Sequence, residues 1–177
     1  MKDNITLRPI IPEDEDFLYL VYASTREEEL APLGWNSDEK EKFLRMQFNA
    51  QHRFYQERFS NAEFQVICLD SRPIGRLYVD RRGDEIRIVD IALLPGYRNA
   101  GIGTSLLKAL LVEAARKGLP VRIHVEHFNR ALHLYKRLGF LISGENGVYY
   151  LLEWTPPSSC SSAPVAFTDK KNIEGKE

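Results

Sequence analysis

The stretch Ile91-Ala92-Leu93-Leu94-Pro95-Gly96-Tyr97-Arg98-Asn99-Ala100-Gly101-Ile102-Gly103-Thr104 decides how this chain folds and where it binds. Apolar residues that suit a buried strand lead through a tight loop at Pro95 and Gly96 into a helical repeat. Ile102, Leu106, Leu110 and Ala114 share one face of that repeat, and Gly118 and Pro120 end it. Gly101 and Gly103 have no Cβ, so a ligand can come close to the main chain, and the first amides of the helix lack intrahelical acceptors. An anion fits that place. Arg98 and the Thr104 hydroxyl can add charge and hydrogen bonds, each dipole-type contact contributing about 0.3–1 kcal/mol. Two glycines alone would equally let a helix pack closely on a sheet. A dinucleotide fingerprint needs a third glycine where Leu106 stands, and no Gly-Lys-Ser/Thr element points to a nucleoside triphosphatase.

Upstream of this stretch the hydrophobic period is two. Phe64, Val66 and Cys68 alternate, a turn spans Asp70 to Pro73, Leu77 and Val79 continue, a second turn spans Arg81 to Asp84, and Ile86 to Leu93 follows, which predicts an antiparallel meander. Val121 to Val125 reads as a strand after the helix, so strand, helix and strand form a parallel crossover. A helix over about Arg130 to Leu138 stops at Gly139, and a last hairpin turns at Asn146-Gly147. At the other end, Ile5, Leu7 and Ile10 suit an opening strand. Pro12 then precedes a helix whose first turn, Glu13 to Asp16, reads as a solvated acidic start. A second helix starts near Asn36 with Glu39 completing a capping box, and Phe43, Met46, Ala50 and Phe54 on one face form its expected core side. The fold class is therefore α/β, or α+β with a mixed sheet.

With 177 residues and 44% hydrophobic content, one domain with a full core is expected, over residues 1–155, followed by a mobile tail from 156 to 177 rich in Pro, Ser and charge. The formal charge of −1 gives no basic excess for nucleic acid or an anionic membrane. Cys68 and Cys160 form neither a disulfide framework nor a metal-ligand spacing, so no metal is expected. The amino-terminal residues lack an apolar signal core, and no apolar run reaches the roughly 20 residues of a membrane span, which together point to a cytoplasmic setting.

The loop resembles the signature of the GNAT superfamily of acyl-CoA-dependent N-acyltransferases, an Arg or Gln, two residues, Gly, one residue, then Gly or Ala: Arg98, Gly101 and Gly103 match. A second segment, Asn129-Arg130-Ala131-Leu132-His133-Leu134-Tyr135-Lys136-Arg137-Leu138-Gly139-Phe140, is similar to that family's Asn…Ala…Leu-Tyr-x-x-x-Gly-Phe element. The resemblance implies a sheet with splayed central strands at Ile91 and Ile123 and a coenzyme A pyrophosphate on Arg98, Asn99, Ala100, Gly101, Ile102, Gly103 and Thr104. The pantetheine arm would lie along Ile91, Ala92 and Leu93. The Ile91 amide would face the oxyanion, Tyr135 would protonate the departing thiolate, and Asn129 would cap its helix and contact the coenzyme. Asn129 precedes Tyr135 by six residues, one fewer than is common in the family.

The same resemblance implies acetyl transfer from acetyl-CoA to a primary amine of a small molecule or peptide, with no fixed general base. Two common glutamate positions are Arg87 and His124 here. Alternation puts His124 opposite the core side of its strand, where it can accept the amine's proton with Asp90 holding it; an Asp and a His paired only to satisfy each other is the equal alternative. The family's acceptor wall corresponds to Arg26 to Tyr55, with Glu28, Trp35 and Tyr55 as candidate contacts. A non-catalytic acyl-CoA-binding regulator, or an interaction module on the same fold, is the rival class. Formation of a homodimer is left open.

Overall fold

The computed structural model describes residues 4–158. The expected tail, with Cys160, lies almost wholly outside the described residues. Strand β1 (Ile5–Pro9) leads through a 3₁₀ turn into α1 (Glu15–Leu30) and α2 (Ser37–Arg58). Three strands follow, β2 (Glu63–Leu69), β3 (Arg72–Arg81) and β4 (Ile86–Leu93), then α3 (Ile102–Lys117), β5 (Val121–Glu126), α4 (Leu132–Arg137), β6 (Leu141–Asn146) and β7 (Tyr149–Trp154). The sheet order is β1-β2-β3-β4-β5-β7-β6, antiparallel except for the β4–β5 pair. The meander, crossover and final hairpin are thus in place.

One face of the sheet packs on α3 and α4 through Leu77, Val79, Ile86, Ile88, Ile123 and Val125 against Leu107, Leu110 and Ala114. Each fully buried aliphatic side chain there contributes about 1.5–3 kcal/mol. A smaller cluster, Leu18, Tyr19, Tyr22, Leu44 and Phe48, joins α1 to α2.

The decisive feature is in β4. Tyr78 pairs with Asp90 and the next residue, Val79, pairs with Ile88, so Val89 is an extra residue in a β-bulge. Strict alternation would place Asp90 on the same side as Ile86 and Ile88. The bulge resets the parity, so that Ile91 and Leu93 pack against the α3 core and Asp90 emerges with Tyr78 on the α1/α2 side. Beyond Ile88, β4 and β5 part: their register holds only Ile86–Val121, Arg87–Arg122 and Ile88–Ile123.

Three local expectations are corrected. Asp14 is not a solvated helix start; it is buried and accepts hydrogen bonds from both terminal nitrogens of Arg8 (2.7 and 2.8 Å) and from the Ile11 amide (2.9 Å). Asn36 and Glu39 form the capping box, but Met46, Ala50 and Phe54 are exposed; Leu44 and Phe48 are the buried pair, with Gln47, Gln51 and Tyr55 beside them. An apolar-face rule misplaces α2 because the surface it covers is partly polar. In the last hairpin Asn146 pairs with Tyr149, so Gly147-Val148 form the turn, and Gly147 alone takes positive φ (59°).

Candidate functional site

The amides of Asn99, Ala100, Gly101, Ile102, Gly103 and Thr104 have no backbone acceptor among the described residues; the first bond of α3 runs from the Ser105 amide to the Gly101 carbonyl at 2.9 Å. Gly101 is in the left-handed region (φ 81°), which turns the loop into the helix without a Cβ penalty, and the Cβ direction of Gly103 meets open space. Six successive amides at a helix start are therefore left without a backbone partner.

The Leu94 amide donates to the Ile74 carbonyl on β3, so by alternation the backbone groups of Ile91 and Leu93 point to the opposite edge, where β5 has departed. Arg98 reaches away along the strand and toward α1. Its Nε donates to the Leu93 carbonyl (2.8 Å), and its Nη2 donates to the carbonyl (3.2 Å) and hydroxyl (2.9 Å) of Ser24 on α1. The guanidinium ties the loop to β4 and α1 through Nε and Nη2.

Tyr135 reaches the parted strands from α4. It is 3% exposed, stands edge-on to Phe140 with centroids 5.5 Å apart, and its hydroxyl makes no hydrogen bond among the described residues. Burial, aided by the Asp90 charge, pushes its phenol above the ordinary tyrosine range, so the group stays protonated. The Asn129 side chain accepts from the Ala131 amide at 2.8 Å and organises the start of α4.

Asp90 and His124 share the α1/α2 side of the sheet by register, but they do not pair. Asp90 accepts from Arg76 Nη2 at 2.5 Å, and Arg76, only 3% exposed, also donates to Gln51 on α2 at 3.0 Å. His124 Nδ1 lies 3.1 Å from Arg87 Nη1. A guanidinium can only donate, so Nδ1 is the acceptor and the ring carries its proton on Nε2. Burial, and then the Arg87 charge, lower the imidazole below its usual range. The expected His124–Asp90 pair fails because β4 and β5 part beyond Ile88, and the bulge delivers Asp90 to Arg76 instead.

Of the acceptor-wall candidates, Tyr55 alone lies among these groups; burial and the Asp90 charge raise its phenol, and its ring is edge-on to Tyr78. Trp35 packs edge-on against Phe43 (5.1 Å) within the α1/α2 cluster, and Glu28 is exposed and paired with Arg130 at 2.6 Å. Sequence reasoning missed Arg76, Gln51 and Tyr149 as neighbours of the site. The signal for Arg76 was present: a charged residue inside the apolar run Ile74 to Val79 has to find a buried partner. No group of three metal-ligating side chains occurs among the described residues, and none of their helices is long and apolar enough to cross a membrane. A cavity of about 230 Å³ lined by Ile10, Pro12, Leu18 and His52 shares no residue with the free amides.

The Acetyltransferase (GNAT) family model matches residues 22–140. Among solved structures, the PaiA N-acetyltransferase from Thermoplasma acidophilum in complex with coenzyme A is 20% identical. It matches over 86% of this chain and 99% of its own, with a TM-score of 0.64. An acetyltransferase from Thermus thermophilus is 16% identical over 86% and 97%, TM-score 0.61. A GNAT family acetyltransferase from Elizabethkingia anophelis with acetyl-CoA bound is 22% identical over 87% and 99%, TM-score 0.53. At these identities the likeness is one of fold.

Proposed function

Because the chain belongs to the GNAT acetyltransferase family, we propose that it transfers an acetyl group from acetyl-CoA directly to a primary amine of a small molecule or peptide. The observation that carries this reading is the row of six unpaired amides from Asn99 to Thr104 beside strands that have parted. The pyrophosphate rests on those amides, and the pantetheine arm takes the open edge of Ile91, Ala92 and Leu93. The Ile91 amide is aimed at the acetyl carbonyl; one such donor to an oxyanion contributes roughly 2.7–4 kcal/mol. The amine attacks from the α1/α2 side, and the tetrahedral intermediate collapses as the C–S bond breaks. Tyr135, protonated and free of another partner among the described residues, gives its proton to the thiolate. Asn129 orders the start of Tyr135's helix beside the coenzyme.

Asp90 takes the amine's proton, directly or through a water: one oxygen is held by Arg76, which leaves the other free. His124 is less well placed for this step, since Nδ1 is already engaged by Arg87. A free-thiol release assay over an amine panel tests the activity. The pH dependence of kcat/KM then separates the two bases: an acidic limb that survives in His124→Ala and vanishes in Asp90→Asn supports Asp90, and the reverse returns the role to His124. A non-catalytic acyl-CoA-binding protein would bind acetyl-CoA and release no thiol with any amine.

A further inference from the structure

The last two turns of α1 bridge the gap between the parted strands. At Ser24 they meet the β4 side: Arg98, whose Nε is fixed on the Leu93 carbonyl at the end of β4, donates through Nη2 to the Ser24 carbonyl and hydroxyl. Two residues on, they meet the β5 side. Arg26 donates to both carboxylate oxygens of Glu126, the last residue of β5, at 3.0 and 3.3 Å, and Glu28 pairs with Arg130, just before α4, at 2.6 Å. The β4–β5 register ends at Ile88–Ile123, so these side-chain bonds from α1 join the two lips where the strands no longer do.

Two features make this bridge releasable. Its hold is polar: Leu18, Val21, Tyr22 and Leu30 are buried, but no residue from 23 to 29 is. A helical segment that buries so little apolar surface opens at a low local free energy. The bonds to the β5 side also have replacements at hand. Arg26 Nη1 is shared with Glu29, one turn on at 3.0 Å, so the guanidinium keeps an ion pair when Glu126 lets go. Glu28 and Arg130 are 69% and 84% exposed, so water replaces either partner at small cost. Beyond Leu30 a 3₁₀ turn, Ala31–Leu33, ends at Gly34, at φ 66° with open space where a Cβ would stand, which leaves the chain room to swing.

We propose that residues 24–29 are a strap over the acceptor side of the cleft, clasped to the β5 side by Arg26–Glu126 and Glu28–Arg130, which opens to admit the amine and closes over it. Closure keeps water from the thioester while the amine attacks. The gate rests on the acetyltransferase reading of the cleft; the two-state clasp does not.

Hydrogen exchange read by mass spectrometry tests the clasp in the full chain without ligand. Amides of residues 24–30 should exchange about 2- to 10-fold faster in 1 M NaCl, in Glu126→Gln and in Arg130→Ala, as for the loss of one or two accessible ion pairs, while those of residues 17–22 in the same helix hold their rates. Arg130 is 84% exposed, so its variant covers a failure of Glu126→Gln to fold. Rates in 24–30 that ignore salt and the substitutions overturn the clasp.

Fixing the clasp tests the gate. Glu28→Cys with Arg130→Cys, in a Cys160→Ser background with Cys68 buried, is cross-linked by a short bismaleimide and compared with the same protein carrying a monofunctional maleimide. Cross-linking should lower kcat/KM for the best amine of the panel at least about tenfold, read by thiol release from acetyl-CoA, with coenzyme A affinity held within about twofold. Undiminished turnover, or a loss of coenzyme affinity as large as the loss of turnover, overturns the gate and leaves the acetyltransferase reading intact. No thiol release with any amine from the unaltered protein overturns that reading and the gate together, and the exchange rates still decide the clasp.

Discussion

Replacing Arg98 by Met removes the three hydrogen bonds that fasten the loop before α3 to Leu93 and Ser24 and keeps the aliphatic length of the side chain. A guanidinium buried with these partners would lose more, but this one is exposed and its bonds compete with water, so the net loss is about 1–2 kcal/mol in total. For a chain of this size each kcal/mol lowers the melting temperature by roughly 2–4 °C, which gives a fall of about 2–8 °C without coenzyme. Affinity for coenzyme A should also weaken, because the amide row must be reordered on binding, but its salt dependence should match that of the unaltered protein: the charge removed does not face the phosphates. Calorimetric melting of the free protein and titration with coenzyme A at two ionic strengths read these effects. An unchanged melting temperature with an affinity loss that steepens at low salt would refute the reasoning and return Arg98 to the pyrophosphate.

Tyr135→Phe should lower kcat by about 10²- to 10⁴-fold with coenzyme binding near normal, read by steady-state kinetics and titration. Since burial raises this phenol above its unfolded value near 10, its contribution to stability is complete below that pH and is lost as pH rises further; melting between pH 8 and 11 should fall less in Tyr135→Phe. Gly101→Glu should abolish the thermal shift given by acetyl-CoA, because it forces a side chain to φ 81° and sets a carboxylate where phosphate needs bare amides; an undiminished shift in a folded variant would reject the loop assignment. Glu85 is 3% exposed and accepts from Arg82, Arg87 and Arg122; burial alone would raise its carboxyl, but the bonds from Arg122 and Arg87 outweigh it and hold it below its usual value. Its stabilisation is therefore present above about pH 4.3 and fades as pH falls through the lowered value, and Glu85→Gln should cost about 3 kcal/mol near neutrality by denaturant unfolding. Ending the chain after Ser158 should leave melting and coenzyme binding unchanged, since the removed residues are rich in Ser and charge and poor in large apolar side chains; a drop of several degrees would show that they pack on the domain.

The elements themselves were legible in the sequence because they depend on short-range physics. Period-two alternation marked β2 to β4, Asn36 and Glu39 marked the start of α2, and Gly118 and Gly139 marked the ends of α3 and α4. The row of free amides was legible for the same reason: unpaired N–H groups at a helix start are a property of the local backbone. What the sequence could not fix were relations among strands and helices far apart in the chain. Ile86 and Ile88 followed by Ile91 and Leu93 records a change of parity, yet only pairing with β3 locates the extra residue at Val89 and turns Asp90 toward Arg76. The partner of His124 depends on where β4 and β5 part, and the inward face of α2 depends on the polar groups beneath it, where Gln47 meets Tyr22, Gln51 meets Arg76 and Tyr55 lies near Asp90. Arg98 shows the division within a single residue. Its place in the motif was readable, but a flexible guanidinium bonds whatever acceptors the fold brings within reach, and here tertiary packing brings Ser24.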